Sequence, residues 1–187
     1  MLTTRRLVLD AFTLADAPLV NAWKNDEQIQ ALSADESTSE SLELTRARIG
    51  RWIAADPNQI VHWAIRLQTP RRLIGFCHAA RIERQHRRCW LGLVIGAKEL
   101  WGRGYGTESC AAVLRYCFEA LALNRVTAET YATNAASIRM LEKLGFVREG
   151  VLRESVWRPG PVDEHVYALL RHDWLDRPPL ELGSTLD

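Results

Sequence analysis

A regular alternation of apolar and polar side chains begins at residue 61. Apolar residues fill every second position over Val61–Leu67, which is the period of a half-buried strand. Similar patterns follow a turn over 69–72 and a charged connection over 81–88, and they predict two further strands, Leu73–Ala80 and Cys89–Ile95. Strands joined by such short connections form an antiparallel meander.

The chain before the meander predicts one strand and two helices. The strand covers Arg5–Phe12, and a helix starts near Asp16. Pro18 suits the first turn of that helix, because the N–H that proline lacks has no helical partner there. A stretch rich in Ser and acidic residues over 33–41 predicts a loop, and a helix follows over Ser41–Ala55.

After the meander, helical and strand patterns alternate. They predict helix Gly106–Leu121, strand Arg125–Tyr131, helix Ala135–Leu144, strand Phe146–Trp157 and strand Val162–Leu170. A meander followed by this alternation is typical of an α/β (α+β) protein with a mixed sheet. We expect a single domain over 1–175 and a loosely packed C-terminal tail over 176–187.

Composition and charge narrow the function classes. The 187 residues carry 24 Lys and Arg against 23 Asp and Glu, and a net charge of +1 argues against a broad surface for nucleic acid. Apolar runs fall short of the ~18 residues of a membrane span. The N-terminal sequence MLTTRRLVLDAF lacks the order of a signal peptide, so we expect a cytoplasmic protein. The four cysteines have no C-x-x-C or zinc-type spacing, so no metal is expected.

The segment over 91–108, LGLVIGAKELWGRGYGTE, joins a strand to a helix through a glycine-rich turn. Glycines let backbone N–H groups point outward and let a ligand approach the main chain. With the positive end of the helix dipole, the turn predicts a phosphate or pyrophosphate site beside the cation Arg103. A Walker loop needs a lysine that this turn lacks, and the dinucleotide fingerprint needs glycine where Thr107 stands. A glycine-rich turn without a ligand is the alternative.

A second informative segment over 134–146, NAASIRMLEKLGF, follows the strand Arg125–Tyr131. Asn134 can cap the helix or hydrogen-bond a ligand amide, and the two roles are compatible. Gly145 suits the left-handed end of that helix before the next strand.

The segments WGRGYGTE and NAASIRMLEKLGF resemble the GCN5-related N-acetyltransferase (GNAT) family. More narrowly, the chain resembles its RimJ/RimL-type ribosomal-protein N-terminal acetyltransferases and their spermidine-acetylating relatives. Three further segments occur in the family's order: TTRRLVLDAF, WAIRLQTPRRLIGF and EGVLRESVWRPGPVDEHVYALLRHDW. The resemblance covers about residues 3–175. It implies a mixed, mostly antiparallel sheet of six or seven strands flanked by helices, with Cys89–Ile95 and Arg125–Tyr131 splayed apart.

The resemblance also implies acetyl-CoA as the co-substrate, held between those two strands, and no metal. The family's pyrophosphate loop, Q/R-x-x-G-x-G/A, corresponds to 101–106, with Trp101 at its first position. The residues implied to bind acetyl-CoA are Val94 and Ile95 for the pantetheine arm, Arg103, Gly104, Tyr105, Gly106 and Thr107 for the pyrophosphate, and Asn134 near the reactive end. A homodimer is a further implication.

The implied reaction is the direct attack of a neutral amine on the thioester. Leu141 stands where many members carry a tyrosine acid, so Ser137 is the candidate that protonates the departing thiolate. Glu154 is the candidate base. Relatives carry a carboxylate two residues further on, where this chain has Val156, and alternate residues of a strand share a face. Water is the alternative base.

The resemblance favours a protein N-terminal amine as the acceptor. An α-amine has a pKa near 8, so about a tenth of it is neutral at pH 7. A polyamine or aminoglycoside is the second hypothesis, with acidic contacts from Asp35, Glu36, Glu40 and Glu43. A CoA-binding sensor without turnover is the third. The segment 31–40 is a candidate lid, and Trp101 and Trp157 are candidate acceptor-site residues.

Overall fold

A mixed sheet of eight strands runs through the part of the chain that the computed structural model describes, residues 1–32 and 39–177. The strands are β1 Leu2–Thr3, β2 Leu7–Asp10, β3 Val61–Leu67, β4 Arg72–Glu83, β5 Arg88–Ile95, β6 Arg125–Tyr131, β7 Val147–Trp157 and β8 Pro161–Leu170. They lie in the order β1-β2-β3-β4-β5-β6-β8-β7. Every neighbouring pair is antiparallel except β5 and β6.

The mixed class and the flanking helices expected from the sequence are confirmed, but the strand number is eight instead of six or seven. The difference arises at the start of the chain, where the sequence predicts one strand over Arg5–Phe12. There β1 folds back on β2, with Leu2 opposite Leu9. Thr4 stabilises the turn because its Oγ1 accepts the N–H of Leu7 at 3.0 Å.

Helices cover both faces of the sheet. They are α1 Ala17–Lys24, α2 Glu27–Leu32, α3 Leu42–Ile53, α4 Tyr105–Arg115, α5 Ala135–Lys143 and α6 Arg171–Leu175. Pro18 lies in the first turn of α1, and the Oγ of Ser41 caps α3 by accepting the Leu44 N–H. The sequence patterns did not indicate the short helices α2 and α6. The predicted helix over Gly106–Leu121 is α4 followed by a π-helical turn over Tyr116–Ala120.

Two apolar cores form, one on each face of the sheet. On the first face, Leu114 of α4 and Phe118 of the π-helical turn pack with apolar residues of β2 to β6 and of α5. On the second face, Val20 of α1 and Ile49 of α3 pack with Ala64 of β3. The sheet is therefore covered on both faces, as a mixed sheet with long crossover connections requires.

The four cysteines belong to the core. Cys77, Cys89, Cys110 and Cys117 are all buried, and none of them forms a disulfide bond. Burial raises the pKa of the Cys110 thiol to about 12, so this cysteine is a neutral apolar side chain. In the described part of the chain, His, Cys, Asp and Glu residues form no group of three that could hold a metal ion. The helices described there are too short or too polar to cross a bilayer.

Replacing a core leucine of α4 tests this packing. Leu114 is 0% exposed, and we expect Leu114→Ala to lower the free energy of unfolding by about 2–5 kcal/mol through lost burial and a cavity. The control is Leu44→Ala on α3, where the leucine is 60% exposed and the expected change is within about 0.5 kcal/mol. Urea titrations of both variants measure the difference. Equal losses would contradict the assignment of α4 to the core.

Candidate active site

A gap opens in the middle of the sheet between β5 and β6. These strands pair only at their beginnings, and the last pair is Trp90 with Thr127. Beyond it β5 stays paired with β4 as far as Ile95, and β6 stays paired with β8 as far as Tyr131. Residues 92–95 are half-exposed although β5 lies deep inside the sheet. The gap therefore has two ordered strand edges whose main-chain groups can pair with an extended ligand.

The glycine-rich turn lies at the start of α4. Gly102 and Gly104 have φ of +73° and +80°, a left-handed conformation that favours glycine, and Gly104 caps the helix. The first helical hydrogen bond is donated by the N–H of Glu108 to the carbonyl of Gly104. The backbone N–H groups of residues 104–107 have no acceptor among the described residues. Four such donors at the positive end of a helix form a binding site for an anion.

The turn borders the gap. A Cβ on Gly106 would stand 3.2 Å from Cδ2 of Leu93 and 3.8 Å from Cγ1 of Ile95, so the start of α4 packs directly against β5. The structure thus brings together the sequence-predicted residues Val94 and Ile95 and the loop 103–107. Their contacts with acetyl-CoA stay a prediction.

Trp101 has a role that the sequence patterns did not indicate. Its indole Nε1 donates a 2.7 Å hydrogen bond to the carbonyl oxygen of Ile95. Trp101 stands at the position where the family's loop carries Gln or Arg, and its N–H ties the start of the turn to the end of β5. The Ile95 carbonyl, predicted to pair with the pantetheine arm, therefore already accepts one hydrogen bond.

Asn134 and Ser137 lie at the start of α5, just beyond the end of β6. The Oδ1 of Asn134 accepts the N–H of Ser137 at 3.1 Å, which is the capping role expected for it. Its Nδ2 donates to the carbonyl of Leu32 at 3.2 Å and links α5 to α2. The Ser137 hydroxyl is partly exposed and has no partner within residues 1–32 and 39–177. Ser137 therefore has the freedom that its predicted role as a proton donor needs.

Glu154 lies in a bulge of β7. The register jumps between Leu152, which is opposite Glu164, and Val156, which is opposite Val162. Glu154 is exposed with φ of +52°, and its N–H donates to Oδ1 of Asp163 at 2.8 Å. The sequence analysis expected residues 154 and 156 to share a face because side chains alternate along a strand. The bulge interrupts that alternation. A catalytic role of Glu154 stays a prediction, without that geometric support.

Glu129 is a carboxylate at the gap that the sequence analysis missed. It lies on β6 two residues past Thr127, the last residue paired with β5, and it is exposed. The indole Nε1 of Trp90 donates to its Oε1 at 3.4 Å across the two strands. The signal that could have indicated it is a charged residue in the middle of the strand RVTAETY, whose other inner residues are apolar or threonine.

A stack of rings lies beside the gap on the face covered by α1 to α3. The ring of His62 on β3 stacks on Trp52 with centroids 4.9 Å apart and meets His78 of β4 at 5.6 Å. The His78 ring occupies the space over Gly92, where a Cβ would lie 2.3 Å from its Nε2. Burial, together with the neighbouring His78, lowers the pKa of His62 to about 4, and burial also lowers the pKa of His78. Both rings are therefore neutral at pH 7.

Comparisons with known proteins agree with this geometry. A family model described as "Acetyltransferase (GNAT) domain" matches residues 6–147. The chain belongs to the GNAT acetyltransferase family. It is an N-acetyltransferase that uses acetyl-CoA.

Three similar proteins illustrate the range of this family. "Uncharacterized N-acetyltransferase YoaA" of Bacillus subtilis (strain 168) is 33% identical over 174 residues, which are 91% of this chain and 97% of that protein. "[Ribosomal protein uS5]-alanine N-acetyltransferase" of Escherichia coli (strain K12) is 31% identical over 107 residues, 56% of this chain and 54% of that one. The structure of spermidine N-acetyltransferase from Vibrio cholerae in complex with CoA and spermine is 23% identical, with a TM-score of 0.81 over 91% of this chain and 98% of that chain. At that identity the third comparison shows the fold.

The low pKa of His62 predicts a dependence of stability on pH. Between pH 6.5 and about 4 the unfolded chain binds a proton at this residue that the folded chain does not, so stability falls as the pH is lowered through this window. We expect His62→Gln to lose less stability than the wild-type protein between pH 7.5 and pH 5, measured by urea midpoints. His86→Gln, in an exposed turn, is the control and should behave like the wild type. An equal loss of stability in all three proteins between pH 7.5 and pH 5 would contradict the prediction.

Proposed function

We propose that the protein acetylates the α-amine of a protein N-terminus, as RimJ/RimL-type members of the family do. This proposal rests on the positive charge of the arginines beside the gap. The guanidinium carbons of Arg81 and Arg88 lie 5.2 and 5.5 Å from the ring centre of Trp90, which closes the gap and contacts Glu129. Arg88 is paired with Glu83 at 2.9 Å, so Arg81 is the cation here that opposes an acceptor with several positive charges, whereas an α-amine is neutral in about a tenth of molecules at pH 7.

The acidic residues considered for a polycation pocket give that alternative little support. Asp35 and Glu36 lie outside the described residues. Glu40 is buried, and its carboxylate accepts from Arg48 at 2.6 Å and from Thr45 at 3.0 Å. Glu43 is exposed in the first turn of α3. The described carboxylates of this set therefore form no cluster that would suit a polyamine. The E. coli relative named as an alanine N-acetyltransferase also favours the N-terminal acceptor.

The residues around the gap define the roles we propose for them. When bound, acetyl-CoA supplies an activated acetyl thioester. The free N–H groups of 104–107 hold the pyrophosphate, and the exposed edge of β5 at Val94 and Ile95 aligns the pantetheine arm. The Ser137 hydroxyl then donates a proton to the departing sulfur. These groups position two reactants, which is itself a large part of the rate acceleration.

Two carboxylates are candidates for the proton acceptor. Glu129 lies at the edge of the gap, and its one described hydrogen bond comes from a neutral indole N–H. Glu154 lies on β7, the outermost strand, and β8 separates it from β6. We propose Glu129 as the base, because proton transfer requires direct contact or one bridging water. Glu154 is the competing candidate.

The acceptor class can be tested by thiol release. We expect the purified protein and acetyl-CoA to release free thiol with peptides that carry a free N-terminus, and to release much less with spermidine or an aminoglycoside. The same peptides with an acetylated N-terminus are the control, because any thiol that they release comes from attack of lysine side chains on acetyl-CoA. Faster release with spermidine would overturn the proposed acceptor. Binding of acetyl-CoA without release on any acceptor would favour the sensor hypothesis.

Substitutions separate the proposed catalytic roles. We expect Ser137→Ala and Glu129→Gln each to lower kcat about 10²-fold or more, because general acid and base catalysis contribute about 10²–10⁴. Glu154→Gln should lower it less than tenfold. Glu43→Gln on α3 is the matched control for loss of one carboxylate. A large effect of Glu154→Gln with none of Glu129→Gln would reassign the base to Glu154.

A further inference from the structure

The turn between β1 and β2 packs against the start of α4, about a hundred residues away in the chain. Its partner there is Glu108, whose side chain is only 2% exposed. The carboxylate accepts three hydrogen bonds from this turn: from Oγ1 of Thr4 at 2.6 Å, from the N–H of Arg6 at 2.9 Å and from Nε of Arg6 at 2.6 Å. The turn is therefore held in one position relative to the glycine-rich loop.

These contacts also fix the plane of the Arg6 guanidinium. Its central carbon lies 4.2 Å from the ring centre of Tyr105, and its Nη1 donates to the carbonyl of Arg103 at 3.1 Å. Its Nη2 has no hydrogen-bond partner in the described part of the chain. Nη2 lies 3.5 Å from the point where a Cβ on Gly104 would stand, and the side chain is 32% exposed. A free donor therefore lies at the rim of the loop, beside the free N–H groups.

The charge of Glu108 explains why a cation is needed there. A carboxylate in the first turn of α4 opposes the binding of a phosphate at the N-terminus of the same helix. The bond between Arg6 and Glu108 neutralises that carboxylate and leaves one edge of the guanidinium free. Arg103, the cation expected from the sequence, is exposed, and its charge acts on the exposed carboxylate of Glu99. Arg6 is thus the pre-oriented cation of the loop, and a pre-oriented group loses less entropy on binding.

We propose that Arg6 is a further acetyl-CoA-binding residue, which donates from Nη2 to the pyrophosphate held by the loop 103–107. The proposal rests on the use of acetyl-CoA and is independent of the acceptor. A guanidinium with a free edge is well suited to phosphate oxygens. The binding site is then built from two distant parts of the sequence, because the turn between the first two strands contributes a cation to the loop 103–107.

Calorimetric titration with CoA and with pantetheine, which lacks the pyrophosphate, tests this contact directly. We expect Arg6→Gln to weaken CoA binding about tenfold and to leave pantetheine binding unchanged. The loss should shrink in high salt, because ions screen a partly exposed contact. The matched control is Arg5→Gln, since Arg5 is exposed and has no partner among the described residues. It should bind both ligands like the wild type.

A second variant separates phosphate contact from folding. Because Arg6→Gln leaves Glu108 buried without its cation, the double variant Arg6→Gln/Glu108→Gln removes that charge. It should restore thermal stability, whereas CoA affinity should recover only in part, because the contact from Nη2 is still missing. Equal losses for CoA and pantetheine, or full recovery of CoA affinity in the double variant, would show that Arg6 acts only through the fold or by neutralising Glu108, and would overturn the proposal. Unchanged CoA binding in Arg6→Gln would also overturn it. A wild-type protein that fails to bind CoA would remove its basis.

Discussion

The missing hydrogen bonds between the second halves of β5 and β6 are the constraint on which the site depends. Unpaired strand edges inside a sheet are costly unless the strands are held elsewhere. Here β4 pairs with β5 along its length and β8 pairs with β6 to Tyr131, so each strand stays extended without the other. The gap is thus a stable feature of the fold, and its edges are available to an extended arm.

The anion site depends on contacts that come from outside the glycine-rich loop. The indole of Trp101 attaches the loop to the end of β5, and the guanidinium of Arg6 attaches it to the first two strands. Glycine alone allows the left-handed turn but does not hold it in place. The free N–H groups of 104–107 are presented in a defined direction because these two side chains restrain the loop.

The surroundings of the gap combine neutral and charged groups in separate places. His62 and His78 are neutral at pH 7 and lie toward α3. Glu129, with Trp90 and the two arginines beside it, lies at the closed end. Among the described residues, this arrangement presents the one carboxylate of Glu129 to the amine of the proposed reaction. It is the electrostatic reason for preferring an α-amine over a polycation.

Local patterns in the sequence determined the mixed sheet, most element boundaries and the anion loop. The alternation over Val61–Leu67 and the glycines before α4 express interactions between neighbours in the chain, which a sequence displays directly. The tertiary structure alone decided the contacts of Arg6 with Glu108, of Trp90 with Glu129 and of Trp101 with Ile95. The first two join residues 39 or more positions apart, and the third depends on how a turn folds back. The bulge at Glu154 likewise depends on the register of β7 against β8, and no periodicity within β7 encodes it.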